Sequence, residues 1–187
     1  GAFSASASAA TIGQITSLYP SFQWEDDNSE QIVNRVGTDP YVLDVGDSLR
    51  GIIEITKIIN VANPAQFQLL SIGTTSTGNS SLAAVFEIEV LSKTVSATQN
   101  AAVPGTEYDY VFGPNAAFGA SIGVAGTMVA WYEDSVANVA RTGCTAGAGG
   151  TCEGSVTDGT LILALGLGTD PDTIWTTTST PENTNLS

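Results

Sequence analysis

Strand signals recur throughout this chain: Gly, Thr, Ser, Val and Ile dominate it, and in several segments side chains alternate with a period of two. Successive side chains of a strand point to opposite faces, so this pattern commits a chain to sheets. Few windows carry apolar residues at helical spacing. The strongest segment is Ser48 to Asn60, with Ile52, Ile53, Ile55, Thr56, Ile58 and Ile59. Branched side chains of this kind fit a pleated surface. It is expected as a strand carrying Leu49, Ile53 and Ile55 on one face and Ile52, Thr56 and Ile58 on the other. Gly51 suits a bulge.

Further strands are expected at Gln14–Trp24 (broken at Pro20), Asp39–Val45, Ala65–Ile72, Leu82–Val95, Thr106–Phe112, Gly126–Asp134, Thr160–Leu167 and Ile174–Thr178. In Leu82–Val95, Ala84, Phe86, Ile88 and Val90 alternate with Val85, Glu87 and Glu89, the mark of a half-exposed strand. In Thr160–Leu167, four leucines share one face, which predicts a strand buried on at least one side. Residues 73–80 form a polar turn, and Pro114–Ser121 suits a short helix or a loop. About eight to ten short strands with turn signals between them predict an all-β chain, a single jelly-roll-like β-sandwich. The expected divisions are an extended segment at 1–13, the sandwich at 14–178 and a polar tail at 179–187.

Composition narrows the function. Charged residues make up 13% of the 187 residues, against roughly 25% in ordinary soluble domains. The 19 acidic and 5 basic residues give a net charge of −14, and there is no histidine. Five cations cannot build a phosphate-binding face, so nucleic acid is excluded as a partner. Without histidine there is no Ser-His-Asp or Cys-His nucleophile, and two cysteines alone make no zinc site. The longest apolar stretch, Thr160–Leu167, is too short to span a bilayer, so no membrane insertion is expected. The chain starts at Gly1 with no initiator Met, as a processed mature chain does.

Cys144 and Cys152 flank a Gly-rich stretch, and a disulfide between them is the natural reading. It implies an oxidising compartment, extracellular or at the cell surface. From Phe3 to Ala9, small apolar residues alternate with serine. A solitary strand of such small side chains buries too little area to hold itself. Phe3, Ala5, Ala7 and Ala9 would be held if they dropped into a slot of another copy, a strand added between subunits. A frayed terminus or a first strand of the chain's own sheet are the alternatives.

The densest acidic run is Glu25-Asp26-Asp27-Asn28-Ser29-Glu30, read as a loop. Its oxygens suit Ca²⁺, with Glu25, Asp26 and Asp27 as candidate ligands and Asp170 and Asp172 as a further pair. The spacing is not that of an EF-hand, and no other cofactor is implied. Asp39, Asp44 and Asp47 are explained by turn formation. Glu87 and Glu89 could in principle serve acid–base chemistry, but an exposed strand face needs no catalytic explanation. Tyr108 and Tyr110 alternate with acids and could stack a sugar, although tyrosine on a sheet face is more often structural. Asn79 heads an Asn-Ser-Ser glycosylation pattern, and Asn185 heads another.

The segments Gly126–Asn138, Thr157–Gly166 and Asp170–Trp175, with the cysteine pair between the first two, resemble the C-terminal half of bacterial exported proteins of the PEP-CTERM class. The resemblance covers about a third of the chain, and the sorting tail is not in this sequence. It implies export and a place in an extracellular or biofilm matrix, with no catalytic residues. Together these features predict a non-enzymatic extracellular structural subunit. It would self-assemble head-to-tail into a filament, pilus-like fibre or sheath by N-terminal donor-strand complementation. A monomeric secreted module binding polysaccharide or matrix is the alternative.

Overall fold

A computed structural model describes residues 22–37, 42–65, 67–69, 77–102, 105–136, 139–140, 151–166 and 175–179. The all-β expectation holds. The strands are β1 (Phe22–Val33), β2 (Ser48–Asn60), β3 (Phe67–Leu69), β4 (Thr77–Val95), β5 (Tyr108–Pro114), β6 (Thr127–Val136), β7 (Thr160–Gly166) and β8 (Trp175–Ser179). Among the described residues two short helices, α1 (Ala116–Ile122) and α2 (Thr151–Thr157), interrupt them. Hydrogen bonds join the strands into one sheet whose main path is β1-β2-β4-β5-β8. Off that path, β3 pairs with β2, β6 with β4, and β7 with β6. β4 thus has three partners, and since a strand has two edges, two of these partners divide one edge between them.

Several expected boundaries shift for local reasons. β2 covers the expected Ser48–Asn60. β4 begins at Thr77, inside the expected turn, so Asn79 lies in a strand. The acidic run at 25–30 lies inside β1 and not in a loop. Strand alternation sends neighbouring carboxylates to opposite faces there. Residues 42–47, part of which was expected as a strand, form an irregular segment and a turn. Asp47 accepts backbone hydrogen bonds that would otherwise go to a ladder. Within the expected Ala65–Ile72 strand, Phe67–Leu69 pairs antiparallel to Lys57–Ile59.

By internal contacts the chain divides into two compact units. The first comprises Gly1–Ser29, Gly51–Val85 and Ala130–Leu163. It buries Ile52, Ile55, Ile58, Leu82, Ala84, Val85, Tyr132, Val139, Cys152 and Val156. The second comprises Glu30–Arg50, Phe86–Val129 and Ala164–Ser187. It buries Leu43, Leu49, Val90, Tyr110, Phe112, Phe118 and Met128.

In the second unit β5 runs antiparallel to β4, with a register shift between Val90 and Ser92. The shift is a bulge at Leu91, which opposes no residue of β5 and is exposed. A Cβ on Gly113 would come within 2.4 Å of the tip of the Leu91 side chain, which lies over the glycine. The bulge also resets the faces of β4 and puts Lys93 opposite Tyr110. α1 is capped at both ends. The Asn115 side chain accepts from Phe118 N–H at 3.1 Å, and Gly123 takes the left-handed conformation at φ 82°.

In the first unit α2 was not anticipated. Seven residues are marginal as an isolated helix, and Gly154 weakens it further. Its inner side holds it: Cys152 and Val156, four apart, are both buried. The Ser155 hydroxyl accepts from Ala140 N–H at 2.9 Å and donates to the Cys152 carbonyl at 2.7 Å.

Candidate functional site

β7, Thr-Leu-Ile-Leu-Ala-Leu-Gly, is the feature of the described chain best suited to meeting another molecule. The prediction that it is buried on one side is corrected: both faces are open. Leu161 is 37% exposed, Ile162 39%, Leu163 48% and Leu165 41%. Among the described residues β7 pairs with β6 alone, and no described strand meets its other edge. Native edges are ordinarily blunted with lysine, proline or a covering loop. β7 has no charge and no proline.

Two glycines hold β7 in place. A Cβ on Gly159 would lie 2.9 Å from the Glu133 carbonyl oxygen, and one on Gly166 only 1.8 Å from that of Gly126. The contacts fall in reversed order along β6, so β7 runs antiparallel to it with both ends pressed against its backbone. α2 delivers the chain to this point: Gly159 N–H donates to the Val156 carbonyl as the helix closes.

The ionisable side chains form a different kind of site. Arg50 Nη1 lies 2.7 Å from Glu87 Oε2, and both residues are buried. Asn34 Nδ2 donates to Glu87 Oε1 at 3.3 Å, and the Arg50 guanidinium stands 5.6 Å above the Phe118 ring. Glu87 was expected on an exposed face, and the structure corrects this: Leu82 to Ile88 are all buried. Glu89 takes a second structural role, accepting from Asn115 Nδ2 at 3.0 Å. The two carboxylates are thus engaged with different partners.

Lys93 forms the second cluster. Its ammonium is 2.9 Å from Asp44 Oδ1, 4.7 Å from the Tyr108 ring centroid and 6.0 Å from that of Tyr110. Tyr108, Tyr110 and Phe112 follow one another along one face of β5, with centroid spacings of 6.4 and 6.1 Å. Tyr110 and Phe112 are buried and Tyr108 is half-buried, so two of the three rings belong to the core.

Burial pushes the Tyr110 hydroxyl above its ordinary value of 10.0, while the Lys93 charge acts the other way and Asp44 and Tyr108 add to the rise. Burial raises Tyr132 likewise. The unfolded tyrosines therefore ionise first. Stability is intact below pH 10.0 and declines as pH rises toward the folded-state values. Tyr110→Phe is expected to soften that decline. Urea midpoints measured across the alkaline range check it, and parallel slopes for the two proteins would rule out Tyr110 as the source.

The expected site residues fall as follows. Phe3, Ala5, Ala7 and Ala9 lie outside the described residues, as do Asp170, Asp172 and Cys144. Cys152 is buried and disulfide-bonded. Asp26 is exposed on β1, and only the backbone of Glu25 and Asp27 is described. Among the described residues no three side chains of metal-ligating type converge. Asn79 is placed in β4 by its backbone alone. The sequence reading missed the open character of β7. Its signal was the absence of any polar residue between Leu161 and Leu165, which leaves no solvent face.

No family model matches this chain, and no curated protein and no solved structure is significantly similar to it.

Proposed function

We propose that this chain is a non-enzymatic structural subunit, exported to the cell surface or extracellular matrix, that assembles head-to-tail into a filament, pilus-like fibre or sheath. The donor is the period-two segment Phe3–Ala9 of one copy, added as a strand to the next. The observation that carries this reading is the uncharged, doubly exposed strand β7. A monomer gains nothing from such an edge and risks aggregation by keeping it. A subunit that adds strands between copies needs one. The Arg50–Glu87 and Lys93–Asp44 pairs, by contrast, are engaged in holding the fold. Export is in keeping with the Cys152 disulfide and with the resemblance to exported PEP-CTERM proteins. A head-to-tail contact does not close on itself, so it propagates.

The test is negative-stain electron microscopy of the chain beside a version lacking Gly1–Ala10. Filaments are expected from the full chain and isolated particles from the truncated one. Particles in both would move the search to the second reading, a monomeric polysaccharide-binding or matrix module.

A further inference from the structure

We infer that the open edge of β7 is the acceptor for the donated segment, with Ala5, Ala7 and Ala9 of one copy set beside Leu161, Leu163 and Leu165 of the next. This rests on the polymer reading and adds its missing half. Four properties of the two segments match. Phe3–Ala9 and Thr160–Gly166 are both seven residues long. Both alternate with period two, so one register brings a whole face against a whole face. Their sizes are complementary: small alanines beside exposed leucines fill the pleat where two rows of leucines would crowd. Neither segment carries a charged side chain, so the contact does not add to the mutual repulsion of copies that each carry −14.

Twelve residues, Ala10 to Ser21, separate the donor from β1, and an extended chain of that length spans about 40 Å. Gly159 and Gly166 let both ends of β7 lie close against the backbone of its neighbour. The other occupant to weigh is β7 of a second copy. That pairing sets leucine beside leucine and closes as a two-fold dimer, which ends growth.

The experiment uses full-length chains throughout. Sedimentation over a concentration series should pellet the unsubstituted chain. Leu163→Lys and Ala7→Asp should each stay in the supernatant until concentrations at least roughly tenfold higher. An equimolar mixture of the two should give a species of two subunits and no polymer. Leu163→Lys supplies an intact donor and Ala7→Asp an intact acceptor, and the other half of each copy is blocked. Should Leu163→Lys lose its cooperative melt, hydrogen exchange on the unsubstituted chain gives the same information. Amides of residues 160–166 should exchange slowly in the assembled state and fast in dilute solution. Pelleting of Leu163→Lys at unsubstituted concentrations, or protection confined to other strands, overturns β7 as acceptor and leaves the donor reading standing. Pelleting of Ala7→Asp overturns the donor reading itself. Discrete dimers from Ala7→Asp alone would show β7-to-β7 pairing and overturn the inference.

Discussion

Glu87→Ala is expected to cost about 3–5 kcal/mol of stability, a drop of roughly 6–20 °C in Tm for a chain of this size. The reason is what remains after the carboxylate goes. Arg50 is 8% exposed, and its guanidinium keeps its charge at any pH the protein meets. With the Glu87 Oε2 partner at 2.7 Å removed, that charge stays largely out of water beside the Phe118 ring, which offsets little of the lost attraction. Asn34 loses an acceptor in the same step. Arg50→Met should also be costly, because it removes the cation that faces the buried carboxylate. The double variant Arg50→Met/Glu87→Leu removes both charges and fills the volume with apolar atoms. It should recover most of the loss and could exceed the parent. Urea unfolding of the four proteins gives the double-mutant cycle directly. Single variants costing less than about 1 kcal/mol would mean that the pair is well solvated, as surface pairs are.

That pair also marks the boundary of what the chain discloses on inspection. β2 was legible to the residue because six β-branched side chains crowd thirteen positions, and local shape preference is a local property. β6, β7 and β8 were legible within two residues at either end for the same reason. Burial was not. Glu87 sits in an alternation that reads as half-exposed, and its burial depends on Arg50, 37 residues away. β7 erred in the opposite direction: its leucines read as core, yet the described fold leaves both of its faces open. Hydrophobicity states what a strand can bury, while its neighbours in the sheet decide whether it does. The bulge at Leu91 was not legible because it is a shift of register against another strand. α2 escaped notice because a seven-residue helix containing glycine is held by tertiary burial and not by propensity.

Asp47→Ala is expected to be the other large loss, about 2–3 kcal/mol, and to act locally before it acts globally. Asp47 is fully buried, yet it sits in a connecting segment. Its Oδ1 accepts from Val36 N–H and its Oδ2 from Asp44 N–H at 2.9 Å. The backbone around it is docked onto β4: Gly46 N–H donates to the Val90 carbonyl and Val90 N–H donates to the Asp47 carbonyl. One carboxylate thus stands in for the ladder that residues 42–47 do not form. Removing it takes the acceptor from two part-buried backbone donors, each worth roughly 1–1.5 kcal/mol where water reaches the freed N–H, as at the exposed Val36. Asp47→Asn separates charge from geometry. An amide keeps one acceptor oxygen but turns its NH₂ toward the second backbone N–H, donor against donor. Asn is therefore expected to cost more than half of what Ala costs, despite its identical shape. The local effect is visible by hydrogen exchange as faster exchange at Val36, Asp44 and Val90, at denaturant concentrations where β2 remains protected. Since Asp44 also holds Lys93 over the Tyr108 ring, release of this segment should loosen that contact as well. Uniform acceleration across the whole chain, with no early opening of 36–47, would show instead that Asp47 supports the sheet as a whole and is not a clasp for one segment of it.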